Sequence, residues 1–461
     1  MAAKSLAAIS ALAVAVCAGC ASGTSSSALP QAAVPGISPT ERSLTSNYIK
    51  HVVVIIQENR SFENFFAGYP NADAPMTGWG LKSGKRIRIP LHQVTFEIEP
   101  NLSHLYAAAM IDWDQGKMDG FSKWGMNGND AAYAYIERSQ VQPYWDMAGQ
   151  YVLAEHMFPT EFGPSWTAHL TLIAGTDNVN PSPLQAVADF SDGAWNSCDS
   201  QPGTKTDVIN QKRKESFFTG PFPCFTQFQT MAQDLDQGGI SWKFYVDKIK
   251  HAGIWSPYEA IKYVRRGPDW QKDMVQPETQ VLTDAQNGNL AQVSWVTPNK
   301  TDSDHPGSHT DKGPAWVSSI VNAIGQGPDW SSTAIVLLWD DWGGFYDNAK
   351  PPNLDFRGPG IRVPCLIISP YAKTNYISKT NYEFGSILKF IEEVFNLPSL
   401  SQLPGSYPWD GYTDTRANSL DDSFNFSQPA RKFKVIRAKY PASYFLTMPR
   451  SEAEDGPVDD E

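Results

Sequence analysis

Short apolar runs alternate with amphipathic stretches along most of this chain. Runs rich in Val and Ile predict β-strands, and apolar residues spaced by three and four positions predict helices with one buried face. The predicted strands are residues 51–56, 241–246, 292–297, 333–339 and 363–369, and the predicted helices are residues 165–173, 314–324 and 383–396. This alternation favours an α/β fold with a largely parallel sheet that helices cover on both faces.

Polar residues follow two of the predicted strands. Glu58 and Asn59 come after the first strand, and the adjacent acids Asp340 and Asp341 come after the fourth. Because the carboxyl ends of parallel strands meet at one edge of an open sheet, we expect these side chains to lie close together. Three carboxylates and an amide form an oxygen-rich cluster that suits a hard or borderline divalent cation.

A serine in a glycine–proline turn is the candidate nucleophile. Ser165 lies in the segment Phe162-Gly-Pro-Ser-Trp-Thr-Ala-His169. A helix that begins near Ser165 would direct free backbone N–H groups and the positive end of its dipole toward an anion. From the residues alone two interpretations stay open, since Ser165 could attack a substrate or could only cap the helix. Thr167 competes for either role.

The chain has only eight histidines, so their neighbours carry information. His104 precedes an alanine-rich helical stretch, beyond which Asp119 stands in a Met-Asp-Gly turn. His305 and His309 share a turn-rich segment with two acids, which fits either a metal or proton-transfer site or a solvated loop. The histidines predicted to be structural are His51, His92, His156 and His251.

Composition narrows the class of protein. The 461 residues are 41% apolar and 19% charged, which is typical of a globular protein with a substantial core. The net charge of −12 argues against duplex nucleic acid as a partner, because binding a phosphate backbone requires clustered cations. A local phosphate site remains compatible with this charge, since a metal ion can supply positive charge.

The N-terminal residues predict export. Residues 1–20 contain a lysine, an uncharged apolar stretch and then small residues, which is typical of a secretory signal. Cys20 follows a motif that resembles a lipoprotein cleavage site, although Cys17 occupies a position that is usually leucine. Lipidation of Cys20 would anchor the protein to a membrane. Plain cleavage, with a periplasmic or secreted product, and a thiol with no role are the alternatives.

The rest of the chain is predicted to form one domain. Residues 21–47, rich in Ser, Ala and Pro, would be a flexible tether, residues 48–445 the folded domain and residues 446–461 an acidic tail.

Export also bears on the remaining cysteines. Cys198 and Cys224 lie in or beside residues 191–223, a segment rich in Gly, Pro, Ser and Asn with little periodicity. A disulfide would brace this segment in an oxidising compartment, and two unrelated thiols are the alternative. Cys365 lies in a predicted strand and is most simply a small buried hydrophobic residue.

Six segments, taken in order, resemble successive blocks of one protein family. They are HVVVIIQENRSFENFF, LSHLYAAAMIDWDQGKMDGF, FGPSWTAHLTLIAGT, VSWVTPNKTDSDHPGSHTDKGPAWV, TAIVLLWDDWGGFYDNAKPP and RVPCLIISPYA. The family is the bacterial phosphoesterase family that contains phospholipase C enzymes and respiratory-burst-inhibiting acid phosphatases. The resemblance runs from about residue 48 to residue 432, and its last piece is residues 415–431. It implies an alkaline-phosphatase-like sandwich with a central, mostly parallel sheet flanked by helices.

The resemblance also implies a role for each candidate residue. One divalent metal ion, which the nucleophile's hydroxyl joins, would be bound by Glu58, Asn59, Asp340 and Asp341. The implied catalytic residues are Ser165 as nucleophile, His104, His305 and Asp119, and the implied substrate-binding residues are Asn59, His104 and His305. Oxygen ligands leave the identity of the metal open among Ca, Mg, Mn, Fe and Zn.

Three segments depart from the family pattern. Trp342 stands where the motif Asp-Glu-His-Gly-Gly has histidine. Residues 167–169 are Thr-Ala-His where Pro-Asn-Arg often follows the nucleophile turn, and Phe384 lies near a position that is frequently histidine. These changes surround the site and bear on the choice of substrate more than on the chemistry.

The expected protein is an exported, metal-dependent phosphoesterase that forms a phosphoserine intermediate. Its substrate would be a small phosphate ester or a phospholipid, and phosphomonoesterase and phospholipase C activities both stay open. The alternative from another class is a non-catalytic surface lipoprotein that binds glycans or lipids through its 15 Trp and 18 Tyr residues. A sulfatase is disfavoured because the chain lacks the Cys/Ser-x-Pro-x-Arg segment required for formylglycine formation.

Overall fold

The computed structural model describes residues 45–123, 130–193, 195–249 and 253–448. The signal segment with Cys17 and Cys20, almost all of the tether, His251 and most of the acidic tail lie outside these residues. Within the described part of the chain, no helix is both long enough and apolar enough to cross a membrane.

The strands and helices are numbered here in chain order. The strands are β1 His51–Gln57, β2 Thr77–Lys82, β3 Lys85–Pro90, β4 His92–Val94, β5 Ala134–Ile136, β6 Val152–Ala154, β7 Met157–Phe158, β8 Asn178–Pro181, β9 Leu184–Ser191, β10 Thr206–Asn210, β11 Glu215–Ser216, β12 Trp242–Tyr245, β13 Met274–Val275, β14 Val293–Val296, β15 Thr333–Trp339, β16 Cys365–Ile368, β17 Tyr376–Ser378 and β18 Tyr382–Glu383. The helices are α1 Phe62–Phe66, α2 Tyr106–Trp113, α3 Arg138–Gln150, α4 Ser165–Ala174, α5 Met231–Gly238, α6 Lys262–Arg265, α7 Asp269–Lys272, α8 Gln280–Asn287, α9 Gly313–Gln326, α10 Phe384–Phe395 and α11 Ala442–Thr447.

An eight-stranded sheet forms the centre of the fold, with strand order β13-β12-β14-β1-β15-β16-β6-β17. Five of the seven neighbouring pairs in this sheet are parallel, and β16 runs antiparallel to both of its neighbours. The strand β1 lies between β14 and β15, so the first and fourth predicted strands are direct neighbours. The expected mostly parallel sheet is confirmed.

Burial along the central strands shows that both faces of the sheet are covered. Every residue of β14, β15 and β16 is buried, although successive side chains of a strand point to opposite faces. Helices α4 and α10 pack against each other, and α9 packs against both α3 and α8. The predicted α/β architecture with helices flanking a central sheet is therefore confirmed.

The predicted elements agree closely with the observed ones. The predicted strand 333–339 has the bounds of β15, and the other four predicted strands deviate by at most two residues at either end. The helix α10 ends at Phe395, and Asn396 forms its left-handed C-cap. The predicted helices 165–173 and 314–324 correspond to α4 and α9.

The segment 191–223 is more regular than its composition suggested. Here β10 and β11 belong to a four-stranded antiparallel sheet with strand order β11-β10-β9-β8. Cys198 and Cys224 form a disulfide bond, as predicted. The thiol of Cys365 is free and buried within β16, also as predicted.

Candidate active site

The ends of β1 and β15 meet as the parallel pairing requires. Gln57 is in register with Trp339, so the residues that follow, Glu58 and Asp340, leave the sheet side by side. The backbone N–H of Asp340 donates to the carbonyl of Gln57 over 3.0 Å. The backbone N–H of Asn59 then donates to Asp340 Oδ1 over 2.8 Å. Segments about 280 residues apart are thus joined at the edge of the sheet.

A tight turn after β15 holds the second acid in place. The N–H of Gly343 donates to Asp341 Oδ1 over 2.8 Å. Gly343 adopts a left-handed φ of +61°, and a Cβ there would lie 2.1 Å from the carbonyl oxygen of Asn59. Asn59 also has a left-handed φ, of +57°, which asparagine tolerates better than most residues. Glycine at 343 lets the two turns approach each other closely.

Ser165 begins helix α4 and does not cap it. Pro164 is the N-cap residue, and the Ser165 hydroxyl lies 3.4 Å from both Asn59 Oδ1 and Asp341 Oδ2. Thr167, the competing hydroxyl, donates to the carbonyl of Pro164 over 2.9 Å. The capping interpretation of Ser165 is therefore wrong, because its side chain is directed to the carboxylate cluster and not to its own helix.

His104 lies against the other side of Asn59. Its Nε2 atom is 2.5 Å from Asn59 Nδ2, and its Nδ1 atom is 2.8 Å from the carbonyl of Leu102. A carbonyl can only accept, so Nδ1 carries a proton and Nε2 accepts from the amide in the neutral ring. The ring of His305 lies beside it, with 5.9 Å between the ring centroids. Both predicted histidines are thus next to the strand ends.

The loop that carries His305 is fixed by the polar residues at the end of β1. Gln57 Oε1 accepts from the backbone N–H of Asp304 over 2.9 Å, and Arg60 Nε donates to the Asp304 carbonyl over 2.7 Å. Arg60 is itself paired with the buried Glu99. Sequence reasoning gave no role to Gln57 or Arg60, although both belong to the same run of polar residues as Glu58, residues 57–61.

The two acids of the His305 loop, Asp302 and Asp304, are both buried. Asp304 Oδ2 accepts hydrogen bonds from Tyr144 Oη over 2.6 Å and from Trp339 Nε1 over 3.0 Å. Burial raises the pKa of Asp304 to about 7. His309, by contrast, is exposed. The solvated-loop interpretation is wrong for Asp304 and His305, which are buried, and fits His309.

His169 joins the cluster although sequence reasoning did not select it. Its Nε2 atom lies 3.0 Å from Glu58 Oε1 and 3.7 Å from Asp340 Oδ2. One potential ligand atom from each of these three residues lies within 4.8 Å of the others. His169 follows Ser165 by four positions on α4, so one turn of helix places both side chains on the same face. That spacing was the signal available in the sequence.

The donor set fits a divalent cation. Glu58, Asp340 and Asp341 are fully buried, and carboxylates gathered in a low-dielectric interior need compensating positive charge. Asp340 Oδ2 is a buried atom that accepts no hydrogen bond from any described residue. A cation site requires such a carboxylate oxygen, free of hydrogen bonds and close to the other potential ligand atoms, here those of Glu58 and His169.

Asp119 has different neighbours. Its Oδ2 atom lies 3.0 Å from Arg86 Nε, and the carboxyl group of Asp114 also interacts with it. Burial, followed by the contact with Asp114, raises the pKa of Asp119. Neither Arg86 nor Asp114 belongs to the cluster around Asn59 and Ser165. The role of Asp119 in the site stays a prediction.

Trp342 fills the place where the family motif has histidine. Its indole Nε1 donates to Asp112 Oδ2 over 3.1 Å, and its ring stands edge-on to His104 with centroids 6.3 Å apart. Burial holds the pKa of Asp112 well above its ordinary value. The indole of Trp342 therefore lies beside His104 and is held there by the buried Asp112.

Comparison with known proteins places the chain in a family. The model of the phosphoesterase family matches residues 49–398. The chain is 24% identical to a "Non-hemolytic phospholipase C" of Burkholderia pseudomallei, over 85% of this chain and 61% of that protein, so it spans less than two thirds of that relative. It is also 24% identical to "Phospholipase C A" of Mycobacterium tuberculosis, over 86% of this chain and 80% of that protein.

Similar solved structures include a protein in the alkaline phosphatase superfamily from Vibrio parahaemolyticus. That comparison has a TM-score of 0.38 and 10% identity and covers 85% of this chain and 81% of the other. The family match covers most of the described residues and agrees with the resemblance carried by the six sequence segments. The chain belongs to the phosphoesterase family.

Proposed function

We propose that this protein hydrolyses phosphate esters, with Ser165 as the nucleophile and a phosphoserine intermediate. The observation that carries the proposal is the position of Ser165 Oγ, 3.4 Å from both Asn59 and Asp341 at the N-terminus of α4. An unperturbed serine hydroxyl is a poor nucleophile near neutral pH and must be activated. The four oxygen-bearing residues at the strand ends would hold one divalent cation, which, when bound, lowers the pKa of the serine hydroxyl and offsets phosphate charge.

The chain's own groups provide the rest of the chemistry. Ser165 Oγ first releases its proton to solvent and then attacks phosphorus in line with the leaving oxygen, so that the Oγ–P bond forms as the bond to the leaving group breaks. The positive end of the α4 dipole stabilises the non-bridging oxygens, and Asn59 Nδ2 donates to one of them. His104 Nδ1 already donates to Leu102, so Nε2 contacts phosphate as a donor when the ring is doubly protonated.

In this proposal His305 transfers the protons. It would protonate the leaving oxygen and then accept a proton from the water that releases phosphate from Ser165. Its ring lies beside His104, and the loop that carries it is fixed through the backbone of Asp304 by Gln57 and Arg60. Because these hydrogen bonds hold the loop in place, His305 needs to move less during the reaction.

The proposal covers monoesters and diesters, and a substrate panel separates them. The similarity to the two phospholipase C relatives supports a phospholipase C activity, whereas the resemblance to acid phosphatases supports a phosphomonoesterase. The full chain should be analysed for metal and then assayed with p-nitrophenyl phosphate and p-nitrophenyl phosphocholine. We expect hydrolysis of at least one ester, its loss on chelation and its return with a divalent cation. A correctly folded, metal-loaded protein that hydrolyses neither would favour the non-catalytic glycan- or lipid-binding alternative.

We also propose that the protein is exported and anchored by lipid on Cys20. The disulfide between Cys198 and Cys224 supports an oxidising compartment, because such bonds persist outside the reducing cytosol. Cell fractionation and mass spectrometry of the mature N-terminus test this proposal. A mature protein that starts at an unmodified residue would contradict anchoring, and a protein retained in the cytosol would contradict export.

A further inference from the structure

We propose that His169 is a nitrogen ligand of the cation, together with Glu58 and Asp340, and that this centre therefore prefers a borderline transition metal over Ca²⁺ or Mg²⁺. This inference deepens the proposed function and rests on it. It concerns a residue that stands where the family pattern often has arginine, a side chain that does not coordinate metals under ordinary conditions.

The spacing of the three donor atoms matches shared coordination. Two atoms that are each bonded to one cation at about 2.1 Å lie about 3 to 3.5 Å from each other. His169 Nε2 lies 3.0 Å from Glu58 Oε1 and 3.7 Å from Asp340 Oδ2, which brackets this range. All three residues are fully buried, so bulk water does not compete for the position between them.

A hydrogen bond alone explains only half of this arrangement. If Nε2 carried a proton and donated it to Glu58, the contact at 3.0 Å would be satisfied. Asp340 Oδ2 would still be a buried oxygen with no hydrogen-bond partner in the described part of the chain, which is costly for a carboxylate. A cation between the three atoms satisfies both carboxylates and the imidazole at once.

Helix α4 fixes the position of His169 relative to Ser165. The histidine lies four positions after Ser165 in α4, so the helix that presents the proposed nucleophile also presents the nitrogen ligand. Imidazole suits Zn²⁺, Fe²⁺ and related ions, whereas Ca²⁺ and Mg²⁺ prefer all-oxygen sites. One nitrogen among oxygens therefore shifts the preference of the centre.

The test compares three full-length proteins, purified without a polyhistidine tag and freed of metal. They are the wild type, His169→Arg and the control His309→Gln, which changes an exposed histidine. Arginine keeps a donor for Glu58 but supplies no ligand, so it separates coordination from hydrogen bonding. Zn²⁺ and Ca²⁺ affinities are measured by competition with a chromophoric chelator, and the Zn²⁺-loaded proteins are examined by X-ray absorption spectroscopy.

We expect the wild type to bind Zn²⁺ more tightly than Ca²⁺ and His169→Arg to lose at least about tenfold in Zn²⁺ affinity. Outer-shell imidazole scattering should be strong in the wild type and in His309→Gln, and should be lost or weakened in His169→Arg. Unchanged Zn²⁺ affinity in a folded His169→Arg variant would overturn the proposal. If that variant does not fold, wild-type spectra without imidazole scattering overturn it.

These readouts need no substrate, so they separate the two proposals. Imidazole coordination in a protein without phosphoesterase activity would contradict the proposed function alone. Normal activity in a protein whose metal has no imidazole ligand would contradict the assignment of His169 alone.

Discussion

At the scale of single residues, two hydroxyl groups on the first turn of α4 have different hydrogen-bond partners. This difference distinguishes the candidate nucleophile from its neighbour. Ser165 Oγ lies 3.4 Å from Asn59 Oδ1 and from Asp341 Oδ2, on segments far away in sequence. Thr167 Oγ1 instead donates to the local carbonyl of Pro164. Only the serine of the two therefore faces the acidic cluster.

Ser165→Ala should lower kcat by about a thousandfold or more, because no other group replaces the attacking oxygen. Metal content and melting temperature should stay close to those of the wild type, since the hydroxyl is not a cap. Turnover of p-nitrophenyl phosphate, elemental analysis and circular dichroism measure these quantities. The matched control is Thr167→Ala, which should keep kcat within about fivefold of the wild type if Thr167 has only its local bond. Full activity in the serine variant, or its loss in the threonine variant alone, would refute the choice of Ser165.

The sequence identifies individual residues well where a local pattern marks them. Glu58 and Asp340 are marked by the buried strands that precede them, and Ser165 by its glycine–proline turn. His169 was not predicted, because its partners Glu58 and Asp340 lie in two other segments. Its helical spacing to Ser165 is informative only once that face of α4 is known to point toward the carboxylates. Long-range pairing cannot be derived from neighbouring residues.

At the scale of elements, the turn after β15 couples two strand ends. Gly343 lies against the backbone of Asn59, and its N–H bonds to Asp341. The conformation of this turn thus sets the distance between the acidic pair and the asparagine. A change of about an ångström in that distance is expected to be costly, because catalysis depends on the alignment of the reacting groups.

Gly343→Ala should reduce kcat by about a hundredfold, because a Cβ would lie 2.1 Å from the Asn59 carbonyl oxygen and would displace it. Gly239→Ala is the matched control, since Gly239 also has a left-handed φ, of +67°, but no atom lies within 4 Å of the added Cβ. Both variants carry a backbone penalty on the order of 1 kcal/mol, so their melting temperatures should fall. Steady-state kinetics of the two proteins tests the claim. Equal kcat values in them would show that the turn does not position the site.

Strands and helices with a strong hydrophobic pattern could be predicted from the sequence. The pairing of the strands could be predicted only in part. Continuous apolar runs identified β1 and β15, and 3.6-residue periodicity identified α10. The antiparallel direction of β16 was not predicted, because its composition is the same for either direction. The small sheet that contains β10 was missed because glycine and proline in the segment favoured an irregular loop.

At the scale of the whole molecule, the aromatic residues belong largely to the core. The largest fully buried side chains include Trp166, Trp242, Trp295, Trp316, Trp339 and Trp342. Composition alone left open a surface that binds glycans or lipids through such residues. Their burial explains the aromatic content through packing, so it lends no support to that alternative.

The molecule also buries a group of acids away from the site. Asp234 of α5, Glu392 of α10 and Asp414 lie together, and the N–H of Leu400 donates to both Glu392 and Asp414. Burial, and secondly the charge of Asp414, raises the pKa of Asp234 to about 7. The carboxyl group of an aspartic acid in an unfolded chain has a pKa of about 4. Between about pH 4 and 7 the folded protein therefore keeps a proton that the unfolded chain releases, and stability falls as the pH rises.

Asp234→Asn should remove this pH dependence, because an amide keeps the shape of the protonated acid and does not ionise. Between pH 5 and 8 the variant should lose about 2 kcal/mol less stability than the wild type. Urea unfolding at the two pH values, followed by circular dichroism, measures the difference. The exposed Asp421 provides the control, and Asp421→Asn should follow the wild type. A variant at position 234 that loses as much stability as the wild type would show that Asp234 ionises normally in the folded protein.

Trapping of the covalent intermediate tests the central claim most directly. The metal-loaded protein is mixed with a substrate labelled at phosphorus, quenched in acid within the first turnovers and digested for mass spectrometry. We expect phosphate on the peptide that contains Ser165, and no label there in Ser165→Ala. Rapid turnover of the wild type with no labelled protein, or with phosphate on a different residue, would contradict the account.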